Sequence, residues 1–345
     1  MKVQQIIVVG QNQVELQERD LDDRLGPDEI LVKTEWTFIS AGTELANYTG
    51  KEPQVFQKGS WCAYPWNSGY ANVGIVMNTG SEVSCCKVGD RVFTFGSHSS
   101  MVKWNQKKLV VAVPDEIAPD IAVATRMAGV ATAALLMADM PVYPWVVVFG
   151  LGMVGNLAAQ AFRIKGGRVI GVDPVENRRR LASRCGIRHV IGGSPDEVQQ
   201  LIFSLTEGAM ADIAVEATGL TPVILQAVRA AANFGQVILL GSPRAPFQGD
   251  MTPVFSDIHL RYITVRGALE WGPPSYPPTS AVGGRTSAMI SLYEKQKMIF
   301  DWVQRGEMQI DPLISHRIRP AQIKEAYEGL LRQPDIYIGV AIDWR

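Results

Sequence analysis

The sequence has few of the residues that build metal centres and disulfide frameworks. Its 345 residues include four cysteines and four histidines. The cysteines form no C-x2-C pair, and the adjacent residues Cys85 and Cys86 have a spacing that rarely forms a disulfide. We therefore expect free thiols, and we expect neither a disulfide framework nor a structural zinc lobe.

The sequence also has little excess charge of either sign. The 33 basic and 34 acidic residues give a formal net charge of -1, which offers nucleic acid or an anionic membrane little electrostatic attraction. The first residues, MKVQQIIVVG, alternate like a strand and are unlike a signal peptide or a membrane span. We expect a cytoplasmic protein that binds a small molecule, with no nucleic acid and no membrane as partner.

The chain does contain enough apolar residues for two folded domains. Hydrophobic residues make up 47% of a sequence of 345 residues, which is too long for a single compact core. Up to about residue 115, short apolar runs such as EILVKTEW and DRVFTFG alternate with turns, which predicts an irregular β-barrel. Residues 118 to 140 are continuously small and apolar, which predicts a buried helix.

Strands and helices alternate in the following part of the chain. Apolar runs such as WVVVFG and DIAVEATG predict buried strands, separated by helical segments up to about residue 271. This succession predicts an α/β fold with a doubly wound parallel sheet. Residues 272 to 288, rich in Pro, Gly and Ser, predict either a lid or binding loop or a solvated linker. Helices at 287 to 305 and 320 to 332 and a last strand complete the prediction.

A glycine fingerprint lies between one predicted strand and the next helix. Gly150, Gly152 and Gly155 form G-x-G-x-x-G in VVVFGLGMVG. The first glycine permits a tight turn, the second lets a pyrophosphate approach the backbone, and the third lets the helix pack on the strand. Amide groups at the helix N-terminus then face the phosphates. The pattern therefore predicts a dinucleotide site.

The residue after the next strand bears on the choice of dinucleotide. Asp173 ends RVIGVD, where a carboxylate accepts hydrogen bonds from ribose hydroxyls and repels a 2'-phosphate, which favours NAD. The arginines that follow, beginning with Arg178, supply cations that could reach such a phosphate. NAD is therefore the expected cofactor, and NADP remains the alternative.

These motifs together resemble the medium-chain dehydrogenase/reductase superfamily. The resemblance is carried by ISAGTE, GYANVGIVMNTGSEVSCCKVGDRV, VVVFGLGMVG, GVDPVENRRRLA, VEATG and DPLISHRI. It implies a GroES-like β-barrel catalytic domain from 1–124 and 272–345, a Rossmann domain at 125–271, and a homodimer or homotetramer. It also implies further nucleotide-binding residues, namely Leu151, Met153, Val154, Ala217, Thr218 and Gly241.

The resemblance implies a branch that lacks zinc. Members with zinc carry C-G-T-D and G-H-E-x-x-G motifs, and the matching positions here hold Ala41, Tyr70 and Ala71, with Arg126 near the third ligand position. Zinc prefers thiolate, imidazole or carboxylate ligands. The chain is similar to the bacteriochlorophyllide and sugar dehydrogenase-like members, and we expect no metal.

Side chains must then do the work of the metal, because hydride transfer at an alcohol carbon needs a partner for the oxygen and a path for its proton. Tyr70 either donates a hydrogen bond to the substrate oxygen or fills the emptied metal pocket. Thr43 matches the hydroxyl that relays the proton in zinc-containing members. Glu44 either acts as a base, or holds a sugar hydroxyl, or pairs locally.

Two further residues are candidates for the catalytic site. Arg126 interrupts an apolar helix, where a cation is costly unless it meets an anion or lines a cleft. The candidate partners are a substrate carboxylate, a cofactor phosphate, and Asp139 or another internal acid. His98 follows TFG in a loop that the family places near the substrate, and imidazole suits acid-base chemistry near neutral pH. A lone loop histidine is also commonly incidental.

Three functions fit the sequence. The first is a zinc-independent NAD(P)(H) oxidoreductase that interconverts a secondary alcohol and a ketone on a sugar, cyclitol or other secondary metabolite. The second is an enoyl or quinone reductase of the same fold that uses NADPH. The third is a dinucleotide-binding sensor without catalysis. The intact glycine fingerprint and the Thr43-Glu44 pair favour the first.

Overall fold

The computed structural model describes residues 1–279 and 289–345. They form two compact units, of which the first contains Met1–Arg126, Trp271–Gly306 and Ile314–Arg345, and the second contains Met127–Glu270 and Glu307–Leu313. Part of the segment predicted as a lid or linker, 280–288, lies outside the described residues, as does the predicted start of a helix at 287.

The strands are short and occur in both units. In chain order they are β1 (Lys2–Gly10), β2 (Gln13–Asp20), β3 (Glu29–Phe38), β4 (Trp66–Asn67), β5 (Asn72–Thr79), β6 (Arg91–Thr94), β7 (Met101–Asn105), β8 (Val110–Ala112), β9 (Trp145–Phe149), β10 (Arg168–Val172), β11 (His189–Ile191), β12 (Ala211–Glu216), β13 (Ala231–Leu239), β14 (Thr264–Gly267), β15 (His316–Ile318) and β16 (Val340–Asp343). Most of the regular structure up to β8 is therefore extended.

The helices lie mainly in the second half of the chain. They are α1 (Ala41–Tyr48), α2 (Pro119–Met137), α3 (Met153–Ile164), α4 (Glu176–Arg184), α5 (Pro195–Leu205), α6 (Thr221–Ala230), α7 (Thr252–Leu260), α8 (Leu292–Gln304) and α9 (Ile323–Arg332). Short 3-10 helices occur at Pro53–Phe56, Asp311–Leu313 and Pro320–Gln322. The helix predicted at 118 to 140 is confirmed as α2.

The first unit is built on a mixed sheet. Among the described residues this sheet has seven strands in the order β15-β16-β3-β5-β6-β8, with β7 also paired with β3, and a second sheet has the order β2-β1-β4. The pairs are antiparallel except for β15 with β16. Apolar residues that alternate along the strands, among them Ile30, Val32 and Val76, pack into one core cluster. The predicted irregular β-barrel domain is thus found as a separate β-sheet domain, whose described strands form two sheets.

The second unit is a doubly wound parallel sheet. Its strand order in the described residues is β11-β10-β9-β12-β13-β14, and every pair is parallel. The order reverses between β9 and β12, and ligands of such sheets bind beyond the carboxyl ends of the strands at this point. The buried run Val146, Val147 and Val148 explains why β9 was predictable from sequence. The predicted Rossmann fold is confirmed.

Helix α2 is the one element in the described part of the chain that is long and apolar enough to cross a membrane. Most of the residues in its apolar stretch are buried inside the protein. A core helix of a folded domain has this composition, since it is apolar on every face. We therefore interpret α2 as a core helix, as the sequence predicted.

Several elements were missing from the sequence prediction. Strand β2 has the sequence QVELQERD and is exposed along most of its length, so it lacks the apolar alternation that marks a strand. It forms because β1 pairs with it through nearly its whole length. Helix α1 was hidden in the ISAGTE motif, where only Ser40 and Glu44 indicate a helix start.

Candidate functional site

The glycine turn of the second unit has the geometry that its sequence predicts. Gly150 directly follows β9 with φ of 91°, a left-handed conformation that glycine adopts without strain. A Cβ at Gly155 would lie 1.8 Å from the Gly150 carbonyl oxygen, so only glycine lets α3 approach the turn this closely. Folding alone therefore explains the first and third glycines.

The second glycine has a different environment. A Cβ at Gly152 would meet no described heavy atom within 4 Å, so folding does not require glycine there. Gly152 is the N-cap of α3 and has no side chain to accept from the first-turn amides of Met153 and Val154. The open backbone surface and these amides form a suitable cradle for a phosphate.

Asp173 joins the glycine turn to the start of α4. Its side chain is 1% exposed, and its two carboxylate oxygens accept hydrogen bonds from the backbone amides of Leu151 at 2.7 Å and Val175 at 2.8 Å. The Arg178 guanidinium lies 3.6 Å from the same carboxylate. The residue predicted to bind ribose hydroxyls therefore lies beside the glycine turn, with the candidate phosphate-binding arginine next to it.

Buried Glu216 organises the neighbouring loop at the end of β12. Its carboxylate accepts hydrogen bonds from the Thr218 amide at 2.7 Å, from the Thr218 hydroxyl, and from the Gly219 amide at 3.0 Å. A Cβ at Gly150 would lie 2.7 Å from Cγ2 of Thr218, and one at Gly241 would lie 2.1 Å from the Gly219 nitrogen. The structure thus brings the predicted residues at the ends of β9, β12 and β13 together, with Ala217 in the same loop.

In the first unit, the hydroxyls of Ser40, Thr43 and Tyr70 form a group of three. The Tyr70 hydroxyl lies 2.5 Å from Oγ of Ser40 and 3.4 Å from Oγ1 of Thr43. Ser40 is the N-cap of α1, but its side chain makes no capping hydrogen bond. Tyr70 and Thr43 are only partly buried. These hydroxyls can exchange protons along a short chain, which is a requirement for alcohol oxidation.

Glu44 belongs to a buried network next to this group. It is fully buried, and one carboxylate oxygen accepts from the Ser40 amide at 2.7 Å. The other accepts from the Tyr327 hydroxyl at 2.7 Å and from Nε2 of His98 at 3.0 Å. Burial and the nearby Glu44 carboxylate raise the pKa of Tyr327 well above its usual value. Glu44 therefore fixes the start of α1 from inside the unit.

His98 is also fully buried. Its amide donates to the Ser68 carbonyl at 2.9 Å and its carbonyl accepts from the Ile6 amide at 2.9 Å. The ring packs on the backbone of Gly69, where a Cβ would lie 2.6 Å from Cγ of His98. The structure therefore brings the predicted catalytic residues Glu44 and His98 together. Both side chains are buried in the interior of the first unit and neither is exposed at its surface.

Arg126 lies among aromatic rings. Its side chain is 1% exposed, and its Cζ atom is 4.3 Å from the ring centre of Phe95, 4.6 Å from that of Tyr70 and 5.5 Å from that of Trp271. Such cation-π contacts stabilise a desolvated guanidinium. Asp139 was a candidate partner of Arg126, but its carboxylate forms an ion pair with the Arg266 guanidinium, at 2.6 Å.

The residues at the positions of the zinc ligands do not fit a zinc ion. Ala41 and Ala71 have no ligand atom, and Arg126 brings a positive charge to the ring of Tyr70. Across the described ranges, no group of three or more His, Cys, Asp or Glu side chains could hold a metal. A cation beside a guanidinium would be repelled, and no step of the chemistry proposed below involves zinc.

Several residues of these sites were missed by sequence reasoning. They are Ser40, Phe95, Glu216, Trp271 and Tyr327. Ser40 was within the quoted motif and precedes a helix start, so a capping argument would have found it. No local signal indicates Tyr327, because its contact with Glu44 joins residues 283 positions apart.

The chain is similar to known dehydrogenases. A family model described as zinc-binding dehydrogenase matches residues 153–282, a range that contains none of the four positions just described. The L-threonine 3-dehydrogenase of Mesorhizobium japonicum is 25% identical over an alignment of 346 positions, which covers 89% of each chain. Other matches span only about half the length of the curated relatives concerned.

Solved structures share the fold over almost the whole chain. The 2R,3R-butanediol dehydrogenase of Bacillus subtilis is 19% identical with a TM-score of 0.78, and the match covers 99% of both chains. A structure described as a zinc-binding dehydrogenase of Sinorhizobium meliloti 1021 bound to NADP is 18% identical with a TM-score of 0.78, again over 99% of both chains. These matches show that the chain shares the fold of these dehydrogenases over almost its whole length, with a Rossmann-like parallel sheet and a separate mixed sheet.

Proposed function

We propose that this protein is a zinc-independent, NAD(P)-dependent oxidoreductase that interconverts a secondary alcohol and a ketone on a sugar, cyclitol or other secondary metabolite. The observation that carries the proposal is the Tyr70 hydroxyl group, held by Ser40 and Thr43 at a position where zinc-containing relatives have a histidine ligand. The similarity to an L-threonine 3-dehydrogenase and to a 2R,3R-butanediol dehydrogenase supports dehydrogenase chemistry of the alcohol and ketone type.

The glycine turn and its neighbours are proposed to hold the nucleotide. The nicotinamide ring, when bound, accepts or donates the hydride. The amides at the start of α3 bind the phosphates, and the Asp173 carboxylate accepts from the ribose hydroxyls, which favours NAD. NADP is the alternative, because Arg178 lies within reach of a group bound at Asp173.

Tyr70 is proposed to act on the substrate oxygen. In ketone reduction its hydroxyl gives its proton to the substrate oxygen and takes a proton from Ser40 or Thr43, which is replaced from water at the partly buried Thr43. In alcohol oxidation each proton moves in the opposite direction and the last one leaves to water. The Arg126 guanidinium over the Tyr70 ring stabilises negative charge that develops at the tyrosine oxygen. Glu44 is proposed to position this group through the Ser40 amide, without contact with the substrate.

The test uses the full chain, dialysed against a chelator and analysed for residual metal. Secondary alcohols, including cyclitols and sugar alcohols, are offered with NAD and NADP, and the corresponding ketones with NADH and NADPH. We expect turnover without zinc and no gain when stoichiometric zinc is added. Zinc-restored activity would overturn the proposal. Enones that consume NADPH while alcohols give no turnover would indicate the reductase alternative, and tight binding without any turnover would indicate a sensor.

A further inference from the structure

Two adjacent thiols in the first unit have no part in the proposed reaction. Cys85 and Cys86 lie between β5 and β6, and both are free. Their Sγ atoms are 3.6 Å apart. Cys85 is exposed to solvent and Cys86 is partly buried. A small solute can therefore reach the first sulfur, and the second sulfur is already next to it.

The backbone around the pair is held on both sides. The Ser84 amide donates to the Gln106 side chain at 3.0 Å, and the Lys87 amide donates to the Asp90 carboxylate at 2.9 Å. Cys86 also packs against the buried cluster that contains Ile30. These contacts fix the segment that carries the two thiols, so the fold keeps the thiols close together.

The two thiols differ in reactivity. The hydrogen bond with the Cys86 thiol lowers the pKa of Cys85 to about 7, because a thiolate is stabilised by a neighbouring donor. The same hydrogen bond raises the pKa of Cys86, which stays protonated. Burial raises the pKa of Cys185 to about 11. Near neutral pH, Cys85 is therefore the more nucleophilic of these thiols.

We propose that Cys85 and Cys86 form a peroxide-sensitive modification site, with Cys85 as the attacking thiol and Cys86 as the resolving thiol. The Cys85 thiolate attacks one oxygen of a hydroperoxide, the O–O bond breaks, and a sulfenic acid and an alkoxide or hydroxide form. The Cys86 sulfur then attacks the Cys85 sulfur, the S–O bond breaks, and the departing hydroxide takes the Cys86 proton and leaves as water. The two thiols lose two electrons in total, and the peroxide accepts both.

The product is expected to be reversible. Consecutive Cα atoms are about 3.8 Å apart, which is shorter than the roughly 4.4–6.8 Å that disulfides usually span. A bridge between neighbours is therefore strained, and strained bridges are reduced more easily than structural ones. The pair is therefore suited to a disulfide that small thiols reduce readily, and unsuited to a permanent structural disulfide.

The experiment treats the reduced full chain with hydrogen peroxide and follows its intact mass. The wild type should lose the mass of two hydrogen atoms and regain it with dithiothreitol. Cys86→Ser should stop at the sulfenic acid, which dimedone traps. The rate of oxidation of Cys85→Ser should be lower than that of the wild type by about tenfold or more. The wild-type rate should rise as the pH increases through about 7.

Cys62→Ser and Cys185→Ser are the matched controls, since both residues are buried. Both variants should react like the wild type, and peptide mapping should place the bridge at 85–86. Three results would overturn the proposal: oxidation of Cys85→Ser at the wild-type rate, addition of oxygen to the wild type without a bridge, or a disulfide between two chains. Each readout remains informative if a variant is less stable, because it is taken on the folded fraction.

Discussion

The hydroxyl of Tyr70 lies 2.5 Å from Oγ of Ser40. A serine before a helix normally accepts from a first-turn amide, whereas this serine is directed to the tyrosine and Glu44 binds its backbone amide. The start of α1 is thus stabilised from the buried side, and its serine hydroxyl is available to the candidate active site.

Removal of the Tyr70 hydroxyl should slow turnover without unfolding the protein. In Tyr70→Phe the ring can still contact Arg126, but the hydrogen bond to the substrate oxygen is lost. We expect kcat to fall by about 10²–10³, with an unchanged affinity for the nucleotide. Steady-state kinetics and calorimetry measure the two quantities. The control is Tyr143→Phe, because Tyr143 is 66% exposed; equal rates for both variants would exclude the role of Tyr70.

The second and third glycines of the fingerprint should fail in different ways. In Gly155→Ala the new Cβ meets the Gly150 carbonyl, and we expect a loss of stability of about 1–3 kcal/mol. In Gly152→Ala nothing in the described protein is displaced, so the melting temperature should be unchanged while NAD binding weakens at least about tenfold. Gly267→Ala, also without a described neighbour within 4 Å, is the control. Normal NAD binding by Gly152→Ala would contradict the cradle.

Asp173 should determine the choice between NAD and NADP. Asp173→Asn removes the negative charge that repels a 2'-phosphate, so the ratio of kcat/KM for NAD to that for NADP should fall by about tenfold or more. Arg178→Ala, which removes the cation 3.6 Å away, should change the ratio in the opposite direction. Because Asp173 also accepts from two backbone amides, the melting temperature is measured in parallel. An unchanged ratio in both variants would show that another residue selects the cofactor.

The contact between Gly69 and His98 can be separated from backbone strain. Gly69 has φ of 88° and Gly59 has φ of 87°, so alanine is strained at both, by about 1–2 kcal/mol. Only at Gly69 does the added Cβ meet a ring, that of His98. Urea unfolding should therefore show a further loss of about 1–3 kcal/mol in Gly69→Ala. If Gly69→Ala and Gly59→Ala lost the same free energy of unfolding, the His98 ring would have moved aside at no cost.

The exposed edge of the second unit should support self-association. Strand β14 is exposed along its whole length, and Phe234 and Tyr262, 75% and 67% exposed, stack with their ring centres 4.8 Å apart. Exposed edges and apolar patches are features of association surfaces. We expect a homodimer or homotetramer in light scattering and a smaller species for Phe234→Ser. A monomeric wild type would refute this expectation.

The sequence predicted the second unit better than the candidate active site. Buried runs such as Val146 to Val148 and the glycine spacing are local signals, and the fold preserves both. The environment of Arg126 is not local, because Phe95 and Trp271 come from distant parts of the chain. The burial of Glu44 depends in the same way on Tyr327. Residue type alone therefore indicated candidates, and long-range packing determined their surroundings.

The hydrogen bonds of Asp173 to the amides of Leu151 and Val175 have a further consequence. They tie the glycine turn and the start of α4 to one buried side chain. Preorganised loops lose little conformational entropy on association, so more of the contact energy is expressed as affinity. Recognition of the dinucleotide at this turn should therefore require little rearrangement of the main chain.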